Sequence, residues 1–228
     1  MTKKEFNENV IKAFIFDLDG VIVETSKYHY LAWKEIAQSF GFELTEALNE
    51  QLKGVSRVNS LELILSWANT DLKESTKEEL LIEKNNYYLN YIKSLNPSEA
   101  LEGVLELLNE IKKAGLKMGI GSASKNAVTI LKKLEIVDWF DVIIDGNAVS
   151  RSKPDPEVFL KGANLMNVDP KSVIVFEDSV SGIEAANSAH FHSIGVGQQE
   201  VLHEADYVIK DFRNLNLKSI LELIEGKK

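Results

Sequence analysis

The 228-residue chain is 44% hydrophobic, contains no cysteine and carries a formal charge of −9. These figures exclude disulfides, thiolate metal sites and cysteine nucleophiles, and they argue against a nucleic-acid partner, which usually demands a basic face. The apolar stretch near the N-terminus is interrupted by Lys12 and stops at Asp17, so it reads neither as a signal peptide nor as a membrane span; a cysteine-free soluble chain fits the cytoplasm.

Val10 to Phe16 reads as a buried strand that ends on two carboxylates, Asp17 and Asp19, within the stretch FIFDLDGVIVET. Residues two apart on a strand share a face, so these carboxylates are expected to crowd each other and to need a cation or a raised pKa. Residues 26–40 read as a helix with Tyr30, Leu31, Trp33, Ile36 and Ala37 on one face and Gly41 as its stop. Further helices are expected at 45–53, 58–68 and 76–93, and NPSEALEGV then reads as a hinge. Beyond it the pattern alternates: helix 101–113, strand 116–122, helix 125–134, strand 140–145, helix 156–167 and strand 172–178. Helix 180–188, strand 192–196, a short strand near 206–209 and a helix at 214–224 complete the chain. The alternation predicts an α/β fold, with a Rossmann-like doubly wound parallel sheet carrying helices on both faces. Residues 1–24 and 96–228 form this core, and residues 25–95 form a helical domain inserted after the first strand.

Ligands of open parallel sheets bind beyond the carboxyl ends of the strands, and four of these ends carry polar residues. The first has Asp17 and Asp19; the second has Ser122, followed by Ser124, Lys125 and Asn126. After the third comes Lys153 in RSKPDP, and the fourth ends in Glu177 and Asp178. Alone, Ser124 or Ser179 could be a helix cap. Together, Asp17, Asp19 and Asp178 make a hard-oxygen set suited to Mg²⁺. Lys153 and the start of helix 125–134 would supply positive charge for a phosphate. Such a set suits phosphoryl transfer, with one Asp attacking phosphorus and the other exchanging a proton with the alcohol.

These four clusters resemble the motifs of the haloacid dehalogenase superfamily along essentially the whole chain. The resemblance implies Asp17 as nucleophile, Asp19 as general acid/base, and Ser122 and Lys153 as holders of the transferring phosphate. It places Mg²⁺ on the Asp17 side chain, the Asp19 backbone carbonyl and Asp178, with Glu177 beside it. The inserted helices are then a cap that selects substrate.

Three features of the cap resemble a mutase branch of the superfamily: His29 and Trp33 one turn apart, the run Gly54-Val55-Ser56-Arg57 with Asn59 and Ser60, and Lys84. The core run Ser122-Ala123-Ser124-Lys125-Asn126 matches as well. That branch usually carries DLDGVITDT, so Val23 and Glu24 depart from it. The resemblance implies interconversion of β-glucose 1-phosphate and glucose 6-phosphate, with β-D-glucose 1,6-bisphosphate as activating intermediate and Mg²⁺ as cofactor. His29 and Lys84 would link substrate binding to the acid/base, and Arg57 with Ser124, Lys125 and Asn126 would take the second phosphate. The expected partner is a small sugar phosphate, without nucleic acid or membrane, acting on a monomer. The alternatives are a sugar-phosphate phosphatase on the same scaffold, a phospho-acceptor receiver domain, and a binding protein that has lost activity. Receiver domains are much shorter, lack the insertion and carry their acceptor Asp on a later strand.

Overall fold

The computed structural model describes residues 10–226. Residues 1–9, which include most of the segment read as lacking a signal peptide, and residues 227–228 lie outside the described residues. The first strand, β1 (Ala13–Phe16), is fully buried, and its side chains alternate between two apolar layers as strand geometry requires. Phe14 and Phe16 enter one layer, while Ala13 and Ile15 enter the other.

The chain then leaves the sheet for four helices: α1 (Ser26–Ser39), α2 (Glu46–Glu50), α3 (Arg57–Trp67) and α4 (Glu74–Tyr91). Trp33, Ile36, Leu61, Ile64 and Leu80 give this helical segment an apolar cluster of its own. Leu31 is not among them and stands 40% exposed, which corrects its expected place on the buried face. At 3.6 residues per turn it lies about 160° around the helix from Trp33, and Ala32 takes the inner position instead.

The core resumes with α5 (Val104–Lys113), β2 (Lys117–Gly121), α6 (Ala127–Lys133), β3 (Val142–Ile144), α7 (Glu157–Met166) and β4 (Val173–Glu177). It ends with α8 (Val180–Ser188), β5 (His192–Val196), β6 (Tyr207–Ile209) and α9 (Leu217–Glu225). The strands form one sheet in the order β3-β2-β1-β4-β5-β6, parallel throughout. Helices α7 and α8 cover one face, while α5, α6 and α9 contribute to the layer on the other. The first strand is therefore central, and the order reverses beside it, where such sheets open a crevice.

Two chain crossings tie the helical segment to the sheet. Val23 bridges both Asp19 and Ala100, and the Leu101 N–H donates to the Ile22 carbonyl at 2.9 Å. The two departures from the usual motif sit here: Val23 is fully buried in the bridge, whereas Glu24 is exposed and accepts from the Ser26 N–H at the start of α1. Among the described residues no helix is long and apolar enough to cross a membrane.

Candidate active site

The loops leaving β1, β2 and β4 meet at the carboxyl edge of the sheet beneath α1, α3 and α4. Asp17 still pairs with the sheet, its N–H donating to the Phe176 carbonyl at 2.9 Å. Asp19 does not. By then the chain has turned, with the Leu18 carbonyl accepting from the Ile22 and Val23 N–H groups and Gly20 at φ +83°. The expectation that both carboxylates share a strand face is thus corrected: β1 stops at Phe16, and the turn gives each carboxylate different partners. Gly20 serves this turn twice, through its positive φ and because a Cβ there would lie 2.2 Å from Asp178 Oδ2.

A buried ion cluster underlies the cleft. Lys153 Nζ donates to Asp17 Oδ1 at 2.5 Å and to Glu177 Oε1 at 2.6 Å. Glu177 Oε2 accepts from the Ser179 N–H at 2.7 Å and from its hydroxyl at 2.9 Å, so both oxygens of this carboxylate are already engaged. Ser179 also caps α8 through the Gly182 N–H. Burial pushes the Asp17 carboxyl up to about 7; Lys153 pulls it down, while Glu177 and Asp19 add to the rise. Burial likewise holds Asp178 well above the ordinary carboxylate value, reinforced by Glu177 and Asp17. Its nearest cation is Lys53, at 3.7 Å.

Among the described residues no three acidic or imidazole side chains converge into a ready metal cage. Asp17 and Asp178 nevertheless place hard oxygen donors where buried negative charge exceeds its compensation, a donor chemistry that fits Mg²⁺.

The opposite wall comes from two helices, with His29 and Trp33 one turn apart on α1 and Lys84 on α4; Tyr88, one turn beyond Lys84, is buried behind them. Lys84 Nζ lies 2.8 Å from His29 Nδ1, and 4.9 and 5.0 Å from the ring centroids of Trp33 and Tyr88. When Lys84 is protonated its ammonium can only donate, so Nδ1 accepts and Nε2 carries the ring hydrogen. That Nε2 is buried without a hydrogen-bond partner among the described residues and lies 3.7 Å from Asp19 Oδ1, which accepts from the Thr25 hydroxyl. Burial, Lys84 and Arg57 hold His29 well below its usual pKa, leaving a neutral ring. Burial and Arg57 also push Lys84 down to about 7, against the pull of Asp19.

At the far end Ser122, Ala123, Ser124 and Lys125 face Gly54, Val55, Arg57 and Ser60 across the cleft. The Ser124 N–H donates to Ser122 Oγ at 3.1 Å, and the Asn126 N–H donates to Ser124 Oγ at 3.2 Å. These turns delay the helix: α6 begins at Ala127 rather than at 125 and is only seven residues long.

Of the residues expected in the site, four lie off the cleft wall, although Ser56 and Lys153 line the cavity that adjoins it past Arg57 and Ser122. Lys153 and Glu177 are beneath it, Ser56 caps α3 by accepting from the Asn59 N–H, and Asn126 is turned toward Asn85. Residues not anticipated are Thr25 on Asp19, Lys53 near Asp178, and Asn85, while Tyr88, read as packing, is indeed fully buried in the apolar core, with its ring centroid 4.1 Å from that of His29. Asn85 had no signal in the sequence beyond its place next to Lys84.

A family model described as haloacid dehalogenase-like hydrolase matches residues 14–196. The chain is 41% identical to the β-phosphoglucomutase of Bacillus subtilis, over 93% of this chain and 95% of that one. It is 32% identical to the phosphorylated carbohydrates phosphatase of Thermotoga maritima, over 92% of this chain and all of the other. A solved structure of β-phosphoglucomutase from Clostridium difficile superposes with a TM-score of 0.93 at 42% identity, covering 95% of this chain and 98% of that one. With the motif residues assembled at one cleft and these matches spanning nearly its whole length, the chain belongs to the haloacid dehalogenase-like hydrolase family.

Proposed function

We propose that the chain interconverts β-D-glucose 1-phosphate and D-glucose 6-phosphate through a phospho-aspartate and β-D-glucose 1,6-bisphosphate. The observation that carries this reading is the placement of His29 between Lys84, which lies 2.8 Å from its Nδ1, and Asp19, whose Oδ1 lies 3.7 Å from an Nε2 that has no other partner among the described residues and is poised to reach it. A phosphatase uses water as acceptor and has no need for such a link. A mutase must keep its base unproductive until sugar has replaced water.

In this mechanism Asp17 is the nucleophile and Asp19 the general acid/base. Phospho-Asp17 gives its phosphoryl group to the C6 oxygen of β-glucose 1-phosphate, the bond to the Asp17 carboxylate breaks, and Asp19 takes the hydroxyl proton. The bisphosphate reorients and presents its C1 phosphate to Asp17. The C1–O–P link then breaks at phosphorus, Asp19 returns the proton to the C1 oxygen, and glucose 6-phosphate leaves from regenerated phospho-Asp17.

Ser122 and Lys153 steady the transferring phosphate, and Lys153 already lies against the nucleophile. The Asp17 and Asp178 side chains and the Asp19 backbone carbonyl would hold Mg²⁺, which when bound offsets the charge shared by phosphate and carboxylates. His29, Trp33, Ser60 and Lys84 contact the sugar from the cap, here taken as residues 25–95. Arg57 and the 124–126 turn receive the phosphate that is not transferring.

We further propose a small sugar phosphate as sole partner. A monomer is supported by a cleft completed within one chain, and a cytoplasmic setting by the absence of cysteine.

The test is a paired assay of glucose 6-phosphate formation and phosphate release in the parent and in His29→Ala. The parent should form at least tenfold more sugar product than free phosphate, and the ratio should fall about tenfold or more in the variant. An equal ratio in the two proteins would count against the link, and predominant phosphate release by the parent would make it a sugar-phosphate phosphatase.

A further inference from the structure

Asn85 is half-buried on α4 and takes no part in the chemistry at Asp17 and Asp19. Its Oδ1 accepts from Arg57 Nη2 at 2.8 Å and from Asn126 Nδ2 at 3.0 Å. The orientation of these groups is forced by chemistry. A guanidinium only donates, so the Asn85 atom facing it is the oxygen, and the Asn126 atom sharing that oxygen is the amide nitrogen.

One side-chain carbonyl thus joins three elements: α4, the first residue of α3 and the residue capping α6. Arg57 makes no ion pair among the described residues, although it is partly buried and lines the cleft. A guanidinium held there by a neutral acceptor keeps its charge and its remaining N–H groups available to an incoming anion. A carboxylate in the place of Asn85 would neutralise it.

We propose that Asn85 is a positioning residue that fixes Arg57 and Asn126 as a preformed receptor for the non-transferring phosphate. This rests on the mutase reading for the identity of the anion, a sugar carrying a second phosphate. Arg57 and Asn85 belong to the helical segment and Asn126 to the sheet side, so the clasp holds Arg57 and the 124–126 turn toward one another across the cleft. Preorganisation of this kind strengthens binding by lowering the ordering cost at the moment the ligand arrives.

The experiment is a double-substitution cycle of Asn85→Ala and Arg57→Ala, read as KM and kcat for β-glucose 1-phosphate and as the calorimetric Kd of β-glucose 1,6-bisphosphate. If Asn85 acts through Arg57, Asn85→Ala raises KM and Kd about tenfold in the parent, more than it lowers kcat, and less than twofold in the Arg57→Ala background. The same factor in both backgrounds, or no change in the parent, overturns the assignment. If Asn85→Ala does not fold, Asn85→Ser is read in its place. Failure of the mutase reading is distinguishable, because it appears as phosphate release by the parent while the calorimetric cycle still reports on the clasp.

Discussion

Lys84 is 2% exposed, and burial with Arg57 nearby holds it down to about 7. In the unfolded chain a lysine titrates near its ordinary value, about 10.4. Between these values the unfolded state binds more protons than the folded one, so the stability contributed at this position rises with pH across the window. From pH 7 to pH 9 the gain is about 2 kcal/mol. Urea unfolding of the parent and of Lys84→Met at the two pH values checks this: the variant should lose that gain, and an identical pH response would contradict it. His29 and Lys84 were legible in the sequence because their family positions are distinctive. Asn85 was not. An amide whose partners are 28 and 41 residues away leaves no local trace.

The turn joining β1 to α1 is the element on which the chemistry depends most. It separates Asp17 from Asp19 and seats Asp178 against Gly20. A methyl at residue 20 would meet that carboxylate and would also force an L-residue into a left-handed backbone. Gly20→Ala is therefore expected to destabilise the fold by about 1–3 kcal/mol. The Mg²⁺ concentration needed for half-maximal activity should rise about tenfold or more, as expected when a ligand's support is disturbed. Thermal unfolding and a Mg²⁺ titration of activity are the measurements, and parental values in both would sink the assigned role. At this scale the order and type of the elements followed from periodicity, because alternating strand and helix patterns are set by burial on each face. What periodicity could not show was where β1 stops and when α6 begins. Strand β1 ends where the Leu18 carbonyl turns back to the Ile22 and Val23 N–H groups. Helix α6 begins late because Ser122 and Ser124 accept from N–H groups two residues on, side-chain and turn bonds that leave no mark on the apolar period.

At the scale of the molecule, two lobes meet through polar contacts over the cleft and a packed hinge at its base. The Asn59 amide donates to the Ser152 hydroxyl at 3.1 Å and the Ser181 hydroxyl to the Lys53 carbonyl at 3.2 Å, exchangeable for water at small net cost. At the base, Tyr88 and Ile92 belong to the same apolar cluster as β1 and hold through such an opening. A mutase would need these two parts to separate for sugar and to close against water, and contacts of this kind would not oppose that. The most direct test is a phosphorus NMR time course of the purified chain with Mg²⁺, β-glucose 1-phosphate and a trace of β-glucose 1,6-bisphosphate. Conversion to glucose 6-phosphate with little inorganic phosphate is the predicted result. A spectrum dominated by inorganic phosphate would contradict the mutase assignment.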